Sequence, residues 1–181
     1  TSRYNYSGFS MILPYVEQGP LFQAINFNLT MNIQDGNTTA MATAISSYRC
    51  PSDAQETPSN WAGTNYRFNE GSNILYSYGK TDVDSVNTTM PAPNGPFFPE
   101  MSRRLAEVTD GTSNTALSSE RLMGDFNQGM GTALRDVYVS PTWPTTLLEA
   151  SQNCEAEDVK SIPTNGESSS GAPWLDGFLH T

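Results

Sequence analysis

Apolar positions come in short bursts separated by polar, turn-forming stretches, and no burst is long. Residues 4–27 hold the densest of them. Met11, Ile12, Tyr15 and Val16 fall at helical spacing, and Leu21, Phe22 and Ile25 follow. Pro14 either kinks the first run or starts a new helix at its first turn, and Gly19-Pro20 ends one helix and opens the next. Two short helices packed against a sheet are expected here. Asn37-Thr38-Thr39 reads as the cap of a helix over residues 40–44. Residues 45–50 read as a strand stopped by Pro51-Ser52-Asp53.

Residues 64–68 alternate enough for a second strand, and 74–78 read as its hairpin partner across a long polar tip. Residues 79–95 carry acids, Pro and Gly and are expected to be exposed. Phe97 and Phe98 are expected to bring the chain back to the core. Strands over 115–121 and 133–139, a helix over 146–157 carrying Cys154, a polar linker over 161–172 and an apolar segment over 174–179 complete the pattern. The fold class is α+β: a loop-rich antiparallel sheet with short helices packed on it.

The stretch 104–124, RLAEVTDGTSNTALSSERLMG, is the most distinctive. Asp110-Gly111 is a turn pair, and Thr112, Ser113 and Asn114 bond readily to nearby backbone. The expected corner sends Leu105 and Val108 into the core on one side and Ala116 and Leu117 on the other. Asp110, Thr112 and Asn114 also offer hard oxygen ligands at alternate positions. They form the candidate calcium site, although no EF-hand loop is present.

Composition narrows the function classes. The 181 residues suffice for one cored domain, with polarity supplied by Ser, Thr, Asn, Gly and Pro more than by charge. The formal charge is −10, which argues against nucleic acid and against anionic lipid. No apolar run approaches the roughly 18 residues needed to span a bilayer. Cys50 and Cys154 belong to no metal-ligand or redox motif, and their pairing is left open by the sequence. A bridge between them would close a loop of about a hundred residues, worth on the order of 4–5 kcal/mol.

Catalytic patterns are absent, and no catalytic or cofactor-binding residue is assigned. The lone histidine, His180, sits beside the last residue, a poor place for a nucleophilic centre. Glu107, Asp110 and Glu120 are the carboxylates a glycosidase would draw on, but no spacing selects an acid and a nucleophile. Trp61, Tyr66 and Trp143 lie in Gly- and Asn-rich loops, where aromatic rings suit recognition of a glycan or peptide. Four Asn-x-Ser/Thr triplets begin at Asn5, Asn28, Asn37 and Asn87.

Seven phrases, in order, are similar to the DUF1559 family of planctomycete-type prepilin-like proteins, also catalogued under a bacterial solute-binding label. They are SMILPYVEQ at 10–18, YRCPSD at 48–53, TNY at 64–66, GPFF at 95–98, TDGTSNT at 109–115, ERLMGD at 120–125 and WLDG at 174–177. The resemblance implies an exported, extracellular, non-enzymatic pilin-like or pseudopilin-like head at the cell surface or in a filament. Its expected partners are copies of itself or related pilin-like subunits. Such a head meets the membrane only through a long N-terminal helix, which residues 1–181 lack. The chain is thus expected to be a single head domain, a fragment of a longer protein truncated at both ends. The family often has a further cysteine beyond this point, a partner for Cys154 outside the chain. An extracellular ligand-binding module for a glycan, a peptide or a cation is the competing expectation.

Overall fold

The computed structural model describes residues 6–29, 36–72, 94–97, 103–127, 131–138, 146–156 and 166–176. Contacts group the chain into two compact units, Thr1–Tyr66 with Glu120–Tyr138 and Val159–Thr181, and Arg67–Ser119 with Val139–Asp158. The described residues form an α+β fold of short helices and two small two-stranded sheets.

In the first unit, helix α1 (Gly8–Ile12) starts at Ser7, whose hydroxyl oxygen accepts from the Ser10 N–H. The same hydroxyl donates to the Trp174 carbonyl, so one small side chain serves a helix start and a long-range contact. A 3₁₀ turn over Leu13–Val16 follows, with Pro14 in its first turn, and it ends at Glu17 in the left-handed region. Helix α2 (Gly19–Ala24) then opens with Gly19-Pro20, as the proline pattern predicts. The helical spacing is right but the face is not. Phe9 and Leu13 are buried, whereas Met11 and Tyr15 are exposed.

Helix α3 (Thr38–Ala42) begins two residues before the predicted start, and Asn37 makes no side-chain capping bond. The Asn37 carboxamide instead accepts from the Asn26 N–H (2.9 Å). It donates to the Tyr6 hydroxyl (2.8 Å) and the Asn26 carbonyl (3.1 Å). It is buried, tying α3 to the loop that follows α2. Residues 45–50 are not a strand: a 3₁₀ turn over Ser46–Tyr48 occupies them. That turn points Ile45 and Tyr48 inward, where Tyr48 stacks on Phe9 (5.1 Å) and meets Trp174 edge-on (5.8 Å).

Strand β1 (Tyr66–Phe68) pairs with β2 (Ser118–Glu120), so the described partner of β1 is not the expected hairpin strand. The bonds Asn69 N–H to Leu117 O (3.1 Å) and Arg121 N–H to Asn65 O (2.7 Å) flank the pair and set it antiparallel. Residues 74–78 lie outside the described residues. Strand β3 (Val137–Tyr138) is shorter than predicted and pairs antiparallel with β4 (Gly166–Glu167).

The largest correction concerns the C-terminal stretch. Ser, Gly and Pro in residues 161–172 suggest a solvated linker, yet 168–175 are all buried. Main-chain bonding explains it. Ser168 O and Ser170 O accept from Phe126 and Gly124, Gly171 O from Thr64, and Leu175 O from Ser7, while Trp174 N–H donates to Ala62 O. With its backbone groups paired this way, a polar segment can sit in a core. Trp174 is 0% exposed and its indole N–H reaches Thr43 O at 2.9 Å.

Gly124 is where this seating is tightest. A Cβ there would overlap the Ser168 carbonyl and stand 3.0 Å from Ser170 N, all of it main chain that cannot swing aside. Gly124→Ala is therefore expected to cost about 1–3 kcal/mol, the range for overpacking. Denaturant unfolding reads the loss, and an unchanged midpoint would count against this contact.

In the second unit, Phe68 and Phe97 stack at 4.7 Å, with Phe97 partly exposed. Helix α4 (Leu147–Ala156) matches its predicted span closely and buries Ala150. Among the described residues, no helix is long and apolar enough to cross a membrane.

Candidate functional site

The most site-like carboxylate is Asp53, which no pattern singled out. It follows the Pro51-Ser52 turn, and its N–H bonds back to Cys50 O at 3.0 Å. Buried at 5% exposure, it accepts four hydrogen bonds, two at each oxygen. Oδ1 receives the Gln55 N–H (3.2 Å) and Arg135 Nη1 (3.0 Å). Oδ2 receives Asn65 Nδ2 (2.7 Å) and the Met123 N–H (3.0 Å).

Two of these partners make further hydrogen bonds. Arg135 Nη1 also donates to Met123 O at 3.0 Å. The Asn65 carboxamide accepts from the Cys50 N–H (2.9 Å) and donates to Arg121 O (3.1 Å). Arg121 turns its guanidinium onto Asp136 O (3.0 Å). The Asp136 carboxylate accepts from the Thr132 and Asp125 N–H groups (2.6 and 3.3 Å), and Asp125 accepts from the Thr132 hydroxyl and the Asn127 N–H. The result is a buried polar knot joining residues 50–65, 121–127 and 132–136.

Burial alone raises the Asp53 pKa. The bonds from Met123, Asn65, Arg135 and Gln55 outweigh it and bring it from 3.8 down to about 2. Because the folded value lies below the unfolded one, the stabilisation is complete above about pH 4 and is lost as the pH falls towards 2. It amounts to about 2 kcal/mol. Stability measured between pH 5 and pH 2 is expected to fall by that amount more in the native chain than in Asp53→Asn. Equal slopes would contradict the assignment.

The corner at 104–115 is built differently from expectation. Gly111 takes φ +86°, and Asn114 Nδ2 donates to Asp110 O (3.0 Å), with the Thr115 hydroxyl on Gly111 O (3.1 Å). Asn114 thus braces the turn through the Asp110 carbonyl and not its carboxylate. Leu105 and Leu117 are 77% and 56% exposed, so the flanks do not enter a core as predicted. The bonds that hold this corner are local and main-chain in kind, and they leave its apolar flanks in solvent.

The other candidate residues are scattered. Asp110, Thr112 and Asn114 are all exposed, and among the described residues no three His, Cys, Asp or Glu side chains converge for a metal. Glu107 accepts the Arg104 N–H at 2.8 Å. Tyr66 is half-buried, and its hydroxyl pKa is raised by burial and by the Glu120 carboxylate that bonds it. Trp61 is half-buried, with its indole nitrogen enclosed and without a hydrogen-bond partner among the described residues. Trp143 and His180 lie outside the described residues. Cys50 and Cys154 are free thiols, the first half-buried and the second exposed.

Four of the seven phrases meet in or beside the knot: 48–53, 64–66 and 120–125 supply its members, and Trp174 packs on Tyr48. A family model described as a protein of unknown function (DUF1559), labelled SBP_bac_10, matches residues 1–176. The chain belongs to the DUF1559 family. No curated protein and no solved structure matched it. Among the DUF1559 phrases, Asp53 of the CPSD run was legible only as a strand stop. The polar run around it carries no signal of burial, and its partner Arg135 lies 82 residues away.

Proposed function

We propose that this DUF1559 chain is the head of an extracellular, non-enzymatic, pilin-like structural subunit that assembles with copies of itself or with related subunits. One observation carries the reading. Three of the family's seven phrases converge on a carboxylate whose two oxygens each already accept two hydrogen bonds. Such a group has no acceptor capacity left for a substrate, and its low pKa suits neither a general acid nor a general base near neutral pH. What the phrases specify is a rigid, salt-bridged body. Electron microscopy of the native full-length protein on its cells tests the assembly. Cell-surface or filamentous material bearing the protein is expected, and monomers alone would overturn it.

Trp61 supports a ligand-binding alternative, since its buried indole N–H has no acceptor among the described residues. A glycan array that gives a hit for the native chain and none for Trp61→Phe would favour that reading instead.

A further inference from the structure

Two carboxylates of the knot are bonded very differently from Asp53. Asp136 is buried at 5% exposure and Asp125 is half-buried. Both converge on one residue. Asp136 Oδ2 accepts the Thr132 N–H (2.6 Å), and Asp125 Oδ2 accepts the Thr132 hydroxyl. Asp136 Oδ1 also accepts the Asp125 N–H (3.3 Å), and Asp125 Oδ1 accepts the Asn127 N–H (2.8 Å). A carboxylate has about four acceptor sites. Asp53 uses all of its sites, whereas each oxygen of Asp125 and Asp136 keeps one open. Neither of the two forms an ion pair among the described residues. Arg121 feels the Asp136 charge, yet its Nη2 donates to the Asp136 and Arg135 carbonyls. A buried carboxylate without a cation on it is costly.

A further oxygen beside them has no partner. Ser168 is 3% exposed, and its hydroxyl makes no hydrogen bond among the described residues. Buried hydroxyls are ordinarily bonded, so this one calls for a ligand. Strand pairing says where it points. Val137 stands opposite Glu167 in the β3–β4 ladder, and the same register carried one residue on sets Ser168 opposite Asp136. Opposed residues of an antiparallel pair project from the same face. The Phe126 N–H bonds to Ser168 O at 3.0 Å, which brings Asp125 alongside as well.

We propose that Asp125, Thr132, Asp136 and Ser168 bind a calcium ion. The donors are all hard oxygens, two carboxylates and two hydroxyls, which suit calcium and not a metal that prefers nitrogen or sulfur. Two carboxylates match the charge of the ion. Magnesium demands a near-ideal octahedron, whereas calcium tolerates an irregular set and completes its shell with water. Only two of the four ligands are acids, in keeping with the absence of any group of three among the described residues. The chain's charge of −10 concentrates cations around it. This site is separate from the corner at Asp110, Thr112 and Asn114, and it does not depend on assembly.

Calcium titration of the full-length protein tests it. After EDTA treatment, calcium chloride is added at constant ionic strength and followed by calorimetry and by the urea unfolding midpoint. The native chain is expected to bind with a Kd on the order of 10⁻⁴ to 10⁻³ M, the range of extracellular calcium modules. Its midpoint should rise as calcium saturates it. Asp125→Asn and Ser168→Ala are each expected to weaken binding about tenfold. Ser168→Ala separates a lost ligand from a damaged fold. Without calcium it should be at least as stable as the native chain, because it removes a buried hydroxyl that has no partner. A native chain that neither binds calcium nor gains stability from it overturns the site. Equal stabilisation of the native chain and both variants shows charge screening alone and overturns it as well. Full calcium affinity in Ser168→Ala overturns the four-ligand site even if Asp125→Asn binds weakly.

Discussion

Asp53→Ala lowers the stability of the fold by about 3–5 kcal/mol, the cost of removing one partner from a buried pair. The size follows from what is left behind. Without the carboxylate, Arg135 loses its only described ion pair and the N–H donors of Asn65 and Met123 face an apolar gap. Domains of this size are stable by only about 5–15 kcal/mol, so the variant should sit near its unfolding midpoint at low urea. Arg135→Ala should cost less. Its side chain is 24% exposed, and Asp53 would keep three of its four donors. Urea midpoints for the two variants check both the size and the order. A loss below about 1 kcal/mol for Asp53→Ala, the level of a surface pair, would show that the knot does not hold the unit together.

Trp174→Ala is expected to cost a similar 3–5 kcal/mol, because a fully enclosed indole leaves a cavity its neighbours fill only in part. The loss has two separable parts. Trp174→Phe keeps a ring against Tyr48 but removes the indole N–H bond to Thr43 O, and should cost about 1–2 kcal/mol. The remainder, seen between the Phe and Ala variants, is packing. Equilibrium unfolding of the three proteins measures it. Phe and Ala variants of equal stability would mean that the ring itself contributes little.

Proline and glycine chemistry was legible in the sequence where its effect is local, whereas the cap expected of Asn37 was not formed. Gly19-Pro20 opens the helix it was read to open, Pro14 takes the second of its two expected roles at the start of a 3₁₀ turn, and the helix carrying Cys154 falls within a residue of its expected ends. Pairings across long separations were not legible. Residues 64–68 look for a hairpin partner nearby because spacing can express only near neighbours. The strand that pairs with β1 lies about fifty residues on, at Ser118–Glu120. Ile45 to Cys50 is apolar enough for a strand or for a buried turn, and six residues carry too little period to separate the two.

The C-terminal stretch shows a second limit. Side-chain polarity labels 168–172 as linker, but burial there is set by which main-chain groups find partners, and that is invisible residue by residue. The corner at Asp110 to Thr115 shows a third. Its turn chemistry was legible, down to the bracing role of Asn114, whereas the direction of Leu105 and Leu117 depends on what surrounds the turn. The knot combines all three limits. Its parts appear as recognisable phrases, while the contact between Asp53 and Arg135 joins residues 82 apart in sequence.

The position of Asn37 carries a consequence for producing this protein in a host that glycosylates secreted chains. Its side-chain nitrogen, the atom a glycan would take, is enclosed and already donates to Tyr6 and to the Asn26 carbonyl. A sugar on Asn37 and the native loop exclude one another. Any molecule modified there during synthesis is diverted from folding, so Asn37→Gln is no remedy and Thr39→Ala, which removes the triplet and leaves the carboxamide in place, is the change to make.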